Sequence, residues 1–483
     1  MRAGRKASVV LVNPPPTPEQ GKGKLAEILK NLFFNSPPLG LASIAAVLER
    51  AGVPVRIIDA GAEGLGFRET LSLLQELQPT MVGIGASSIF FANAVQLATA
   101  IRAALPSVVI VVGGPHVSSC SREVMAHDCF DAAVVGEGEM TMLELVEAYG
   151  DGELPKGVLG SLYRDGDEVV VNPLRPLMEN LDDLPLPARH LLPMGRYIPQ
   201  PNDGLYLPKH AMISSRGCPY RCIFCDHGTY GVSYRSFSPT RIVDEMEELV
   251  HRYGAKDIAF VDSLFMLNRQ RVYNVVDEIQ RRGVKVHWTC TVRANATTPE
   301  ILRDMKRAGC WRVRLGAEAG NDDVLRFIRK EVTKDQIRAV AEAADKAGLH
   351  PKAFFMIGHP TETEERIRES IDFACSLPLT DITVQINTPL PGAEQWGLMG
   401  DHGTQATKDW GHYSFWEPVY LPNGLTKERL EELHKKFYRD FYFRPATVWR
   451  HMKMLRGLED VRRFARAGKI LAGMFGSSKA ASE

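Results

Sequence analysis

The first 150 residues alternate short β-branched runs with longer stretches of helical periodicity. The runs are apolar at nearly every position rather than at alternate positions, which is typical of strands buried on both faces. Strands that alternate with helices in this way predict a parallel, doubly wound sheet. The five predicted strands are Ser8–Val12, Val55–Ile58, Met81–Ile84, Val108–Val112 and Ala132–Val135.

Small and polar residues follow most of these predicted strands. Ligands of open parallel sheets bind at the carboxyl ends of the strands, and glycines there let the backbone approach a bulky ligand closely. The candidate ligand-binding residues at these ends are Asn13, Pro14, Ser87, Ser88, Gly113, Gly114, His116, Gly136 and Glu137.

A second series of strands and helices begins near residue 206 and contains six βα units. Six units predict a partial barrel rather than a complete eightfold one. Between the two series, a turn signal at Asp165-Gly166-Asp167 and a proline-studded stretch predict a hairpin followed by a linker. The predicted α/β chain therefore divides into a doubly wound domain (1–150), the hairpin and linker (151–205), the partial barrel (206–395) and a helical C-terminal region that covers the substrate (396–483).

Composition narrows the class of protein without identifying it. The 58 basic and 58 acidic residues give a net charge of zero, so no global field favours nucleic acid. No apolar run approaches the roughly 20 residues that span a bilayer, and the basic start is not followed by a signal peptide. The sequence predicts a cytoplasmic protein that acts on a small molecule. Eight cysteines are too few for a disulfide framework in a chain of this length.

Three of the cysteines form a compact motif, Cys218-Pro-Tyr-Arg-Cys222-Ile-Phe-Cys225, directly after the first predicted barrel strand. Three thiolates on one loop can ligate three irons of a cubic iron–sulfur cluster and leave the fourth iron open. Two alternatives remain at this point. The motif could hold zinc with His227 as a fourth ligand, or a four-cysteine cluster could recruit Cys290 or Cys310.

This motif, with Phe224 between its last two cysteines, resembles that of the radical S-adenosylmethionine (SAM) superfamily. The resemblance implies a [4Fe–4S] cluster on Cys218, Cys222 and Cys225, and SAM bound to the open iron with its adenine against Phe224. It also implies an external electron donor of the flavodoxin or ferredoxin type. The other positions that resemble SAM contacts are Asp262, Arg293, Glu318, Ile357 and Gly358. An internal salt bridge is the alternative role for Arg293 and Glu318.

The first 150 residues resemble the cobalamin-binding domain of class B radical SAM enzymes, on the segments LVNPP, PPLGLASIAAVLERAG, GIGASS, VVGGPHVS and AVVGEGE. The resemblance implies a Rossmann-like domain that binds cobalamin through the strand-end residues named above; a degenerate spacer domain is the alternative. In the stretch Asp59–Gly64, which matches the spacing of a cobalt-ligating signature, Gly61 stands at the position of the histidine. Cobalamin would then lack a protein imidazole ligand.

The tail from Arg444 to Lys469 is basic and interleaved with apolar residues. Such a helix is typical of a membrane surface, in which case a lipid-like or porphyrin-like substrate is favoured, or of a tail packed over a barrel mouth. Peripheral membrane contact therefore stays an open alternative.

The resemblance supports two enzymatic hypotheses. The first is a C-methyltransferase that uses a 5′-deoxyadenosyl radical and methylcobalamin to methylate an unactivated carbon. The second is an oxidative cyclase or ring-modifying enzyme similar to the anaerobic cyclase of chlorophyll synthesis. Two other classes are a cobalamin sensor, which needs no cluster, and a methylthiotransferase, which needs three further cysteines in its first domain, where only Cys120 and Cys129 lie.

Overall fold

The computed structural model describes residues 7–16, 36–200 and 203–455, together with 457, 460–466 and 468. Five parallel strands form the centre of its first sheet: β1 (Val9–Asn13), β2 (Val55–Asp59), β3 (Met81–Gly85), β4 (Val109–Gly113) and β5 (Ala132–Val134). Their spatial order is β2-β1-β3-β4-β5. The chain therefore reverses its winding direction at β1 and β3, and the carboxyl ends of these neighbours flank a crevice.

Helices cover both faces of this sheet. They are α1 (Leu39–Arg50), α2 (Ala60–Glu63), α3 (Phe67–Leu77), α4 (Phe91–Ala104), α5 (Pro115–Val124) and α6 (Gly138–Gly150). Along β1, Val10 and Val12 join a core that includes α4, while Val9 and Leu11 join the core beneath α1 and α6. Burial on both sides explains why the strands are apolar at nearly every position, and the predicted doubly wound sheet is confirmed.

The hairpin that the sequence predicts after this region extends the first sheet. Its strands, β6 (Ser161–Asp165) and β7 (Glu168–Val171), are antiparallel, and β6 pairs with β5. The hairpin covers an edge that would otherwise expose unpaired backbone groups.

The second large sheet is the partial barrel. It contains β8 (Lys209–Met212), β11 (Asp257–Phe260), β12 (His287–Val292), β13 (Cys310–Glu318), β14 (Lys352–Ile357) and β15 (Asp381–Ile386), all parallel, in the order β15-β14-β13-β12-β11-β8. Two short strands after β8, namely β9 (Ser215–Arg216) and β10 (Arg235–Ser236), pair with each other and flank the cysteine loop. Its helices are α7 (Pro239–Tyr253), α8 (Arg269–Arg282), α9 (Pro299–Arg307), α10 (Asp322–Phe327), α11 (Lys334–Lys346) and α12 (Glu364–Ser376).

The C-terminal region closes the open edge of the partial barrel. It contains α13 (Gln395–His402), the short antiparallel strands β16 (Gly403–Gln405) and β17 (Tyr420–Pro422), α14 (Lys427–Tyr442) and α15 (Pro445–Met452). Helix α14 lays a buried aromatic face, including Phe437, Tyr438 and Phe441, against β15. No helix among the described residues is both long and apolar enough to span a membrane.

Tyr438 replaces a missing neighbouring strand at this edge. Its hydroxyl accepts the Val384 N–H at 2.9 Å and donates to the Val384 carbonyl at 3.1 Å. We expect Tyr438→Phe to lower the free energy of unfolding by about 1–3 kcal/mol, because the buried N–H of Val384 loses its partner. Urea unfolding followed by circular dichroism measures the change; an unaltered midpoint and slope would show that the hydroxyl does not stabilise the edge.

Candidate functional site

A cavity of about 590 Å³ lies between the carboxyl ends of the first sheet and the cysteine loop of the second. Of the candidate cobalamin-binding residues, those that line it are Asn13, Ser87, Ser88, Gly113, Gly114, Gly136 and Glu137. From the opposite side it is lined by Cys218 and Cys225. The fold therefore brings the two motifs that the sequence singled out to one cavity.

The cavity continues as a slot along one face of the first sheet. Leu11, Gly83 and Val111 form its sheet side, and Leu41, Ile44 and Met142 of α1 and α6 form its helical side. A Cβ at Gly83 would lie 2.8 Å from the Leu11 side chain and 3.3 Å from Met142, so glycine keeps the slot open. Sequence reasoning missed these residues, although a glycine in a strand interior signals close approach of a ligand or another chain segment.

Two candidate cobalamin-binding residues lie outside the cavity lining. Pro14 is buried behind it, and His116 is 1% exposed, with its Nδ1 3.1 Å from the Ser88 hydroxyl and its ring packed against Phe91 and Trp410. Burial lowers the pKa of His116 to about 4, so its ring is neutral. His116 positions Ser88 from behind rather than facing the cavity.

The stretch around Gly61 also lies outside the cavity lining. Asp59 ends β2 with its carboxylate bonded to the Asn13 amide at 3.0 Å and to the Tyr197 hydroxyl at 2.7 Å. Gly61 sits in the short helix α2, and Gly64 ends that helix in a left-handed conformation. Through the bond between Asp59 and Tyr197, this segment holds the linker against the first sheet.

The three motif cysteines share one loop with different exposure. Cys222 is buried, Cys218 is half-buried and Cys225 is open to the cavity. Desolvation by the surrounding cavity walls, followed by the neighbouring thiols, raises the pKa of Cys225 to about 12, so a cationic metal centre is needed to hold Cys225 as a thiolate. Among the described residues, no three His, Cys, Asp or Glu side chains are gathered closely enough for a single metal ion. Zinc ligands all converge to about 2.0–2.3 Å from one ion, whereas three cysteines on one loop can each bind a separate iron of a cluster.

Lys330 connects several of the residues predicted to contact SAM. Its ammonium pairs with Glu318 at 2.7 Å and lies 5.9 Å from the ring of Phe224. Arg293 donates to the Lys330 carbonyl and stacks 3.4 Å above the ring of Tyr220. Glu318 therefore forms an internal salt bridge, but with Lys330 rather than with Arg293. The roles of Arg293 and Glu318 in binding SAM stay predictions.

Asp262 fastens the start of the cysteine loop. Its carboxylate accepts bonds from the Ser214 N–H at 2.5 Å, the Ser214 hydroxyl at 2.6 Å and the Ser215 N–H at 2.9 Å. Those residues lead directly to the cluster motif, so Asp262 orients the loop through its backbone. A direct contact with the methionine end of SAM stays a prediction.

Ile357 ends β14 and Gly358 directly follows it, beside the predicted adenine position. Their carbonyls accept the Asn387 N–H at 2.8 Å and the Asn387 amide at 3.1 Å. The next residue, His359, is fully buried with neither ring nitrogen bonded within the described part of the chain, and its ring centroid lies 5.8 Å from that of Phe224. Such orphaned polar atoms fit a site completed by a ligand.

Glu362 supports this turn as a buried, protonated acid. It accepts the Gly358 N–H at 2.7 Å and the His359 N–H at 3.1 Å, yet burial raises its pKa from 4.5 to about 8. Because the folded state holds this proton more tightly than the unfolded chain does, the free energy of unfolding falls as the pH rises from 4.5 to about 8.

We expect Glu362→Gln to remove that part of the pH dependence, since glutamine still accepts both N–H groups and cannot ionise. The variant should gain stability relative to the parent protein between about pH 6 and about pH 9. Urea unfolding at both pH values measures the difference; parallel pH profiles for the two proteins would mean that Glu362 does not titrate in this range.

The residues present fit both cofactors. The slot and its glycines leave room for an extended tail, and the orphaned Nε2 of His227 in the cavity wall can bond to a polar periphery. The cysteine loop offers three sulfur ligands and leaves the cavity side open. Fold and site together define a two-domain metalloenzyme whose two cofactor sites face one cavity.

Comparison with known proteins supports the same assignment of two cofactor sites. Residues 212–374 match the radical SAM superfamily, and residues 28–146 match the B12 binding domain. An uncharacterized methyltransferase of Pyrococcus horikoshii is 35% identical over 85% of this chain and 89% of its own. The anaerobic magnesium-protoporphyrin IX monomethyl ester cyclase of Cereibacter sphaeroides is 27% identical, over 86% of this chain and 69% of its own. The structure of the radical SAM methyltransferase TsrM from Kitasatospora setae superposes with a TM-score of 0.70 and 18% identity, over 92% of this chain and 90% of that one.

The chain belongs to the cobalamin-binding (class B) radical SAM enzymes. Its cofactors are a [4Fe–4S] cluster, SAM and cobalamin. The expected family and fold are confirmed: a cobalamin-binding domain, a partial barrel and a helical C-terminal region.

Proposed function

We propose that this enzyme is a C-methyltransferase that modifies an unactivated carbon of a small molecule. The observation that carries the proposal is the shared cavity, which is lined by the cluster cysteines Cys218 and Cys225 on one side and by the cobalamin-domain strand ends on the other. When bound, the cluster with SAM would supply a 5′-deoxyadenosyl radical, and cobalamin would supply a methyl group. The site residues would be those assigned above: Phe224, Asp262, Arg293, Glu318, Ile357 and Gly358 for SAM.

The cavity walls suit radical chemistry better than acid–base chemistry. Three carboxylates line the cavity in the described part of the chain, and each is held by donors: Glu137 and Glu139 by arginines, and Asp226 by the Ser119 hydroxyl. None is left as an obvious general base. Ile89, Phe90, Leu390 and Phe415 add apolar wall, which excludes water from a reactive intermediate.

Oxidative cyclisation is the second candidate, because the Cereibacter cyclase matches this chain over most of its length. The two candidates differ in how they consume SAM. Reconstituted enzyme, a low-potential flavodoxin-type donor and SAM should yield both S-adenosylhomocysteine and 5′-deoxyadenosine if it is a methyltransferase. Formation of 5′-deoxyadenosine with substrate turnover and no S-adenosylhomocysteine would favour the cyclase.

Peripheral membrane contact is supported by one exposed surface on and beside α15. Four large apolar side chains are exposed there: Phe443 (68%), Val448 (44%), Trp449 (55%) and Met452 (48%). They lie beside Lys453, whose ammonium is 5.2 Å from the Trp449 ring. We propose that this surface meets anionic lipid. Flotation with phosphatidylserine vesicles should be lost in Trp449→Ala; flotation that is absent, or unaffected by the substitution, would contradict the proposal.

A further inference from the structure

Both ends of the cluster loop are tied to the cobalamin-binding domain. Arg216 lies two residues before Cys218, and Asp226 directly follows Cys225. Arg216 contacts residues that follow β5 in the cobalamin-binding domain. Asp226 contacts α5, the helix that follows β4. The loop that carries the three cluster cysteines is therefore held between two points of the other domain.

The first tie is a buried ion network. The Arg216 guanidinium contacts Glu137 at 2.9 Å and Glu139 at 2.5 Å, and Arg235 contacts Glu137 at 2.8 Å. No side chain of the four is more than 8% exposed. Burial alone would raise the pKa of Glu137, but the bonds from Arg235 and the charge of Arg216 lower it, so Glu137 is ionised at neutral pH.

The side chains of this network also form hydrogen bonds with neighbouring backbone groups. Glu137 accepts the Met178 N–H at 2.9 Å, and Arg235 donates to the carbonyls of Met178 at 2.8 Å and Tyr230 at 3.1 Å. One group of buried charges therefore connects three parts of the chain: the linker, the end of strand β5 in the cobalamin-binding domain, and both sides of the cysteine loop. A buried network of this kind is worth little as net stability, yet it strongly disfavours any arrangement that leaves a charge unpaired.

The second tie is a close-packed polar junction. The Asp226 carboxylate accepts the Ser119 hydroxyl at 2.7 Å and the Gly228 N–H at 2.7 Å. A Cβ on Gly392 would lie 2.2 Å from the Asp226 carboxylate and 2.4 Å from the Ser119 hydroxyl. Only a glycine fits beside this pair. The three chain segments that carry Ser119, Asp226 and Gly392 are therefore closely packed at this point.

We propose that these two ties, Arg216 with Glu137 and Asp226 with Ser119, are positioning contacts that fix the separation of the cluster and the cobalt. They act through the cysteine loop and the strand ends, so their residues are not catalytic. A reaction that uses both cofactors on one substrate needs their relative placement held within a fraction of an ångström. The inference rests on the two cofactors and not on which reaction they perform.

Electron paramagnetic resonance tests the proposal without a substrate. Dithionite reduction of the holoenzyme gives cob(II)alamin and the reduced cluster together, each with one unpaired spin, and their coupling falls with the inverse cube of the distance. The variants are Arg216→Gln, which removes the guanidinium that contacts Glu137, and Ser119→Ala, which removes one hydroxyl. The double variant combines them, and Glu300→Gln in the exposed pair with Arg303 is the matched control.

We expect each single variant to bind iron and cobalamin as the parent protein does, but to show a weaker or more heterogeneous spin coupling, with the largest loss in the double variant. The control should retain the parent spectrum. An unchanged coupling in the fully loaded double variant would overturn the proposal. Loss of cobalamin from Arg216→Gln would also overturn it for that tie, because the ion network would then be needed to bind the cofactor rather than to position the loop.

Discussion

Replacement of Cys222 by alanine should reduce SAM cleavage to background. We propose that its thiolate is one of three cluster ligands, and no other cysteine in the described residues lies on the cavity wall beside Cys218 and Cys225. The loop itself should persist, because Ile223 donates its N–H to Ile328 at 3.1 Å and accepts that of Gln395 at 2.8 Å. Iron and sulfide content together with 5′-deoxyadenosine yield measure the effect.

Cys290→Ala is the matched control for this loss. Cys290 is fully buried in β12, where burial and the neighbouring Cys310 raise its thiol pKa well above the usual value. We expect the control to keep its cluster and its cleavage activity. Loss of the cluster in Cys290→Ala would instead revive the four-cysteine alternative, and full SAM cleavage in Cys222→Ala would show that Cys222 is not a cluster ligand.

Gly83→Val should weaken cobalamin binding while leaving the cluster in place. The new side chain would enter the slot between Leu11 and Met142, and overpacking of this kind costs about 1–3 kcal/mol even where neighbours adjust. We expect the dissociation constant for hydroxocobalamin to rise by about 10- to 100-fold. Absorbance titration of the iron-loaded protein measures it.

Gly150→Val is the control, since Gly150 lies at the end of α6 outside the cavity lining and an added Cβ would meet nothing within 4 Å. It should bind cobalamin nearly as the parent protein does. If Gly83→Val binds equally well, the slot does not receive the cofactor. If it loses iron as well, the substitution has disrupted the fold rather than the slot.

Structural features that depend on the local pattern of residues could be predicted from the sequence. Continuous apolar runs marked the parallel strands, and the three-cysteine motif lies after the first barrel strand, as the sequence predicts. Strand-end residues such as Ser87 and Gly113 lie on the cavity because carboxyl ends of parallel strands converge.

Contacts between distant segments could not be predicted in the same way. Lys330 pairs with Glu318 from a turn in which Arg329 and Glu331 adopt left-handed backbone conformations, which the residue types do not signal. Gly61 matched a motif spacing, yet its segment turned out to fasten the linker. Arg216 is an unremarkable residue in sequence, and its role depends on two carboxylates that approach from another domain.

Methylation of cobalamin by SAM is the most direct test of the central claim, because it needs no substrate. Enzyme reconstituted with cluster and hydroxocobalamin, reduced and mixed with SAM that carries a deuterated methyl group, should release S-adenosylhomocysteine. Mass spectrometry should then recover cobalamin bearing the deuterated methyl. Unlabelled cobalamin and no S-adenosylhomocysteine, in a preparation that still forms 5′-deoxyadenosine, would contradict a methyltransferase.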